Sequence, residues 1–94
     1  MSAAASAELY EAVRRYEERR PGLGAEFFDA VTDTLEFVER NPRAGSPVSA
    51  CPETYRYIVR RFPYQVVYRL YPAEILIVAV AHSKRRPNYW THRA

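Results

Sequence analysis

Ninety-four residues, 48% of them hydrophobic, suffice for one domain spanning 1–94 with one core and leave no room for a second. No apolar run approaches the roughly 20 residues of a transmembrane helix, and the single cysteine, Cys51, excludes an internal disulfide and a cysteine-based metal cluster. The net charge of +3 divides unevenly: residues 1–54 carry −4, and residues 55–94, with eight Lys/Arg against the one acid Glu74, carry +7, a polarity suited to phosphate or to an acidic partner.

The N-terminal MSAAASAELYE has neither the basic start nor the apolar core of a secretory leader, so a cytoplasmic protein is expected. Leu9, Ala12, Val13 and Tyr16 then recur at i, i+3, i+4 and i+7, the spacing of one helical face. Ser6 stands ahead of them as the expected N-cap. Glu8 and Glu11 fall in the first turns, where the helix dipole favours carboxylates, and Arg14, Arg15, Arg19 and Arg20 gather toward the other end. Pro21-Gly22 stops this helix. A second helix is predicted from Leu23 to Arg40 on the stripe Phe27, Val31, Leu35 and Val38, ending at Asn41-Pro42. The short link between them predicts an antiparallel hairpin. Residues 42–54, with three prolines and a glycine, read as a loop, and Cys51 within it as an ordinary thiol.

From Tyr55 the period changes. TYRYIVRRF, FPYQVVYRLY and EILIVAVAH are β-branched and aromatic runs joined by connections too short for crossovers, which predicts an antiparallel meander. Alternation along the first run sets Tyr57, Val59 and Arg61 on one face and Ile58, Arg60 and Phe62 on the other, so Arg60 and Arg61 should point oppositely. Ile75 to Ala81 is apolar on both faces, as a central or doubly covered strand would be. The fold class is therefore α+β: an N-terminal helix hairpin on one face of a three-stranded antiparallel meander, larger if a partner completes it, with a short C-terminal tail. The opposite face carries part of the arginine set; Arg56 shares the face of Arg60, and Arg69 lies on the neighbouring strand.

The third strand runs into VAHSKRRPNYW, residues 80–90. His82 is the acid/base candidate here, because an unperturbed imidazole titrates near working pH; a structural histidine at the strand end is the rival reading. Lys84, Arg85 and Arg86 follow as a cationic run, with solvated surface as their plain reading. Tyr64, Tyr68 and Tyr71 fit sheet packing, and Trp90 fits an anchor for the chain end.

The ordered set YEERRPGLGAEF, NPRAG, RRFPYQVVYR and VAVAHSKRRPNYW resembles the RelE/ParE family of bacterial toxins, the toxic halves of type II toxin–antitoxin (plasmid stabilisation) modules, over roughly Glu8 to Arg93. The resemblance implies a helix hairpin on an antiparallel sheet and neutralisation by a cognate antitoxin. It implies one of two targets: DNA gyrase, as for ParE, or messenger RNA in the ribosome, cut without a metal or cofactor. On the RNA-cutting branch, Arg85 and Arg86 correspond loosely to an arginine that holds the scissile phosphate, and Tyr89 to a C-terminal tyrosine, giving His82, Arg85 and Tyr89 as catalytic candidates. Arg60, Arg61, Lys84 and Arg86 are candidates for phosphate or antitoxin carboxylates. RNA-cutting members often supplement their site with lysines or a glutamate; the basic half here has one lysine and one acid, which leaves the general base open and favours the gyrase-directed reading. Family members usually open with a strand that this sequence lacks before its first helix. Its absence predicts an open edge at Ile75–Ala81 and a need for an antitoxin or a second copy to cover it. A shortened domain that only binds antitoxin is the third reading.

Overall fold

The computed structural model describes residues 1–93. Helix α1 spans Ala3–Arg19 and begins ahead of the expected cap. Ser2, not Ser6, is the N-cap; its Oγ accepts the Ala5 N–H at 3.1 Å. The alanine-rich AAAS segment extends the helix because alanine has the highest helix propensity, and Ala5 is fully buried on the same face as Leu9 and Ala12. Helix α2 spans Leu23–Arg40 and starts after Gly22, whose φ of 91° needs a residue without Cβ. Gly22 has no side chain to cap with, and Glu17 of α1 does it instead. Its carboxylate accepts the N–H groups of Gly22 at 2.9 Å and Gly24 at 3.0 Å.

The sheet has four antiparallel strands in the order β1 (Ser46–Pro47), β2 (Thr54–Ile58), β3 (Tyr64–Tyr71) and β4 (Glu74–His82). The expected three strands are thus joined by a fourth inside the predicted loop, with Ser46 opposite Arg56 and Pro47 opposite Tyr55. Two residues including a proline carry no periodicity, which is why pattern reading missed them. The loop is drawn onto β2 by Tyr68, whose hydroxyl donates to the Pro42 carbonyl at 2.9 Å and accepts from the Gly45 N–H at 3.1 Å. Gly45 is required there, since a Cβ would stand 2.6 Å from the Tyr68 hydroxyl and 2.7 Å from the Arg56 carbonyl oxygen.

Two sequence expectations about the strands are corrected. β2 ends at Ile58, so Arg60 and Arg61 are not on alternating strand faces: they lie in the turn to β3, with Arg61 at φ 68°. The turn closes through the Val59 N–H, which donates to the Tyr64 carbonyl at 2.9 Å. β4 is an edge strand, not a central one. It is apolar on both sides because α1 packs on one face and the C-terminal tail on the other.

The outer edge of β4 is also not open along its middle. Val78 is an extra residue in the ladder, since Val67 faces Ala79 while Tyr68 faces Ile77. The Ser2 N–H donates to the Ile77 carbonyl at 2.9 Å, and Arg93 and the Ser2 hydroxyl both reach the Val78 carbonyl, at 3.3 and 3.4 Å. Glu8 accepts the Val80 N–H at 3.0 Å. Side chains and the start of α1 therefore occupy positions that a neighbouring strand would take.

Each face of the sheet has its own core. On the helix side, Leu9, Phe27, Val31, Val38, Val66, Tyr68 and Val80 are buried, and Tyr16, Phe27, Phe62 and Tyr64 form an aromatic cluster with centroids 4.8–6.2 Å apart. On the other side, Val48, Val67, Val78 and Ala79 pack around Trp90, only 3% exposed, which is the expected tail anchor. Cys51, a free thiol, packs at its margin. Among the described residues no helix is long and apolar enough to cross a membrane.

Candidate functional site

Strand register builds the face of the sheet opposite the helices in rows: Thr54, Arg69 and Leu76; Arg56, Val67 and Ala79; Ile58, Gln65 and Ala81. The tail crosses this face. It leaves β4 at His82, turns at Asn88 (φ 61°), buries Trp90 and ends in a 3-10 turn, Thr91–Arg93. Because Trp90 fixes the tail over the Val67 row, Arg85, Arg86 and Tyr89 are held beside Arg56 and Gln65. Together they border a cavity of about 210 Å³. Its chemistry is dominated by three guanidinium groups, with Gln65 as a neutral hydrogen-bonding group between them.

Tyr89 is fastened from three directions. Its hydroxyl donates to Glu8 at 2.5 Å, the Arg85 guanidinium lies 3.9 Å above its ring centroid, and that of Arg93 lies 5.0 Å away. Burial, then the hydrogen bond to the Glu8 carboxylate and the repulsion of that charge, push the phenol up to about 12; Arg85 and Arg93 pull the other way without prevailing. Glu8 also pairs with Arg93 at 3.0 Å, both side chains being more than four-fifths buried. That bond, foremost, raises the Arg93 guanidinium above its ordinary value. Glu8 thereby joins α1, the β4 edge and the tail in one knot.

The other sequence candidates are distributed unevenly. His82 borders the cavity, but strand alternation directs its side chain with Val80 toward the helix face, where its ring meets Tyr64 edge-on at 5.0 Å. Its Nδ1 accepts the Lys84 N–H at 3.0 Å. Lys84 is exposed. Arg60 and Arg61 lie together across a separate groove of about 890 Å³ between β2 and α2, facing Glu26, Asp29 and Asp33. The structure thus brings Arg85, Arg86 and Tyr89 together, turns His82 away from them, and puts Arg60 and Arg61 elsewhere.

Sequence reasoning missed Gln65, Arg93 and the role of Glu8. A signal for Glu8 was present. It stands three residues after Ala5 and four before Ala12, so it lies on the buried stripe rather than on the outer face. A carboxylate in such a place requires buried donors. Nothing local identifies those donors, because they arrive from 72 to 85 residues away.

A helix hairpin on one face of an antiparallel sheet is the arrangement implied by the RelE/ParE resemblance; the cationic tail folded over the other face is what the structure adds. Residues 1–87 match the family described as "ParE toxin of type II toxin-antitoxin system, parDE". The chain belongs to this ParE toxin family. A solved structure described as the chromosomal ParDE TA system from P. aeruginosa is similar to it with a TM-score of 0.75, covering 86% of this chain and 89% of that one, at 19% identity. That likeness concerns the fold. No curated protein matches the chain in sequence.

Proposed function

We propose that this ParE-type toxin of a type II toxin–antitoxin module inhibits growth by acting on DNA gyrase, and that a cognate antitoxin neutralises it. The observation that carries the choice of target is the proton chemistry of the cationic cavity. Cleaving RNA through its 2′-hydroxyl takes a base to remove one proton and an acid to deliver another, each with a pKa near the working pH. Arg56, Arg85 and Arg86 bring guanidinium groups, which donate hydrogen bonds but, as a chemical class, have no acceptor to take a proton. Tyr89, pushed up to about 12, keeps its proton, and its hydroxyl is already committed as hydrogen-bond donor to Glu8. The His82 ring is directed to the helix side. What the cavity offers is fixed positive charge and planar donors, which favours binding a phosphate or carboxylate surface over catalysis at one.

The antitoxin reading is supported by the same polarity. The tail and strand half carries +7, with arginines exposed on it, and an acidic segment laid across that surface would neutralise it. Arg60 and Arg61, across the groove from α2, are the residues proposed to meet such a partner's carboxylates, with Lys84 and Arg86 offering a second cationic patch on the tail.

Induced expression in bacteria, with and without the gene neighbouring this one, tests both halves. The proposal predicts double-strand DNA breaks and an SOS response, both abolished by an adjacent gene encoding an acidic helical protein. Intact DNA alongside truncated transcripts would replace the gyrase reading with ribosome-dependent cleavage, with His82 the first residue to examine. Normal growth on induction would leave antitoxin binding as the activity.

A further inference from the structure

The helix side of the molecule carries a second polar concavity that the toxin reading does not use. It lies where the end of β4 and the start of β3 meet α1, has a volume of about 270 Å³, and is lined by Arg15, Tyr16, Arg19, Tyr64 and His82. No carboxylate lines it, although α1 is otherwise rich in them.

Its hydrogen-bonding groups are supplied as donors. Tyr64 is 6% exposed, and its hydroxyl accepts from the Arg15 guanidinium at 2.9 Å. With that acceptance made, the phenolic proton of Tyr64 has no acceptor among the described residues. His82 accepts the Lys84 N–H on Nδ1, so the neutral ring carries its proton on Nε2 and presents a second donor. Arg19 lies 5.5 Å from the Tyr16 ring centroid and makes no ion pair among the described residues. Arg15 has only a distant contact, 3.8 Å, with Glu11, whose closer partner is Arg14 at 2.5 Å. Both members of that distant pair are about half exposed, so it is weak.

Four donor side chains with two fixed positive charges and no carboxylate in the lining define an anion site. Two guanidinium groups one helical turn apart match a dianion, and their planar forks suit phosphate oxygens. The volume is below the roughly 300–1,000 Å³ of pockets for drug-sized ligands, so it fits a phosphate group with little attached. We propose that this pocket binds the dianionic phosphate of a small phosphomonoester, held by Arg15, Arg19, Tyr64 and His82. The site opens on the helix side, shares only His82 with the border of the cavity around Tyr89, and does not depend on the choice of toxin target.

Isothermal titration and NMR with inorganic phosphate, at low salt and about pH 8 where phosphate is a dianion, test it. The proposal predicts saturable binding that perturbs the Tyr64 and His82 ring signals. Arg19→Ala and Tyr64→Phe should each weaken it by roughly tenfold, the size of one lost charge-assisted bond. Arg14→Ala removes the same charge from the same helix outside the pocket and should leave the affinity within about twofold. Circular dichroism of each variant establishes that it is folded. Equal weakening by Arg14→Ala and Arg19→Ala would mean diffuse attraction to a basic surface and overturn the site. So would ring signals that respond no differently to phosphate than to chloride at matched ionic strength. Equal affinity for dimethyl phosphate would overturn the assignment to a dianion.

Discussion

Replacing Glu8 by alanine should be the most damaging single change to the way the tail is held. The substitution removes the acceptor of three bonds: Val80 N–H at 3.0 Å, Tyr89 hydroxyl at 2.5 Å and Arg93 at 3.0 Å. A backbone N–H left without a partner costs about 1–3 kcal/mol when water cannot reach it. Breaking a fully buried ion pair costs about 3–5 kcal/mol, because the surviving charge is uncompensated. With side-chain exposures of 17% for Arg93 and 16% for Glu8, some water reaches the orphaned groups, and the three losses overlap. We expect about 3 kcal/mol in total, toward the low end of that range. For a domain of this size each kcal/mol moves the melting temperature by about 4–8 °C, so a fall of about 12–24 °C is predicted. Urea denaturation of the wild type, Glu8→Ala, Arg93→Ala and the double variant measures it. The double variant should be less destabilised than the sum of the singles by at least about 1 kcal/mol, since the second change removes the charge that the first left unpaired. Glu8→Gln should fall between, retaining an acceptor for Val80 but not the charge. A cost for Glu8→Ala below about 1 kcal/mol, or strict additivity with Arg93→Ala, would refute the knot.

The pH dependence of the same knot has a definite sign. The Tyr89 phenol is raised from 10.0 to about 12 on folding, so its contribution is complete below pH 10 and disappears as pH climbs through 12. Burial raises the phenols of Tyr16 and Tyr68 as well, so ultraviolet titration of phenolate should show several late tyrosines, and Tyr89→Phe should remove one of them together with part of the alkaline loss of stability. Gly45→Ala places a methyl 2.6 Å from the Tyr68 hydroxyl and 2.7 Å from a backbone oxygen, which should cost about 2 kcal/mol or more in denaturant titrations. Arg86 is exposed and makes no salt bridge among the described residues, so Arg86→Ala should change stability by less than about 0.5 kcal/mol. Growth inhibition should nevertheless fall in Arg86→Ala and Arg85→Ala, as scored by colony counts after induction.

The fold was legible where the pattern was long. Both helices and three strands announced themselves through stripes of period 3.6 and 2, and α2 runs from Leu23 to Arg40 as its caps foretell. Legibility failed where a long-range contact overrode a local rule. Ser6 is a good cap by chemistry, but burying Ala5 and the proximity of β4 extend the helix back to Ser2. Alternation was carried four residues too far in β2, to Phe62, so Arg60 and Arg61 were assigned to faces when a turn holds them both. The apolar run Ile75–Ala81 correctly indicated cover on both sides. It could not tell a central strand from an edge strand under a folded-back tail, because the covering residue, Trp90, lies beyond the strand itself. Of the candidate site, the position of the cationic run was readable. That the His82 ring would meet Tyr64 on the helix side while Arg85 stacks on Tyr89 was hidden in the register of one strand and the bend that follows it.

The central claim, a cationic surface that acts on gyrase by binding, is tested most directly with purified components. The toxin is incubated with DNA gyrase, ATP and supercoiled plasmid, and DNA is resolved after denaturing the enzyme. The account predicts linear plasmid that appears only when toxin, gyrase and ATP are all present, and that Arg85→Ala with Arg86→Ala suppresses while His82→Ala does not. Unbroken plasmid in that reaction, with messenger RNA cut on ribosomes by the same preparation and rescued by restoring His82, would contradict it.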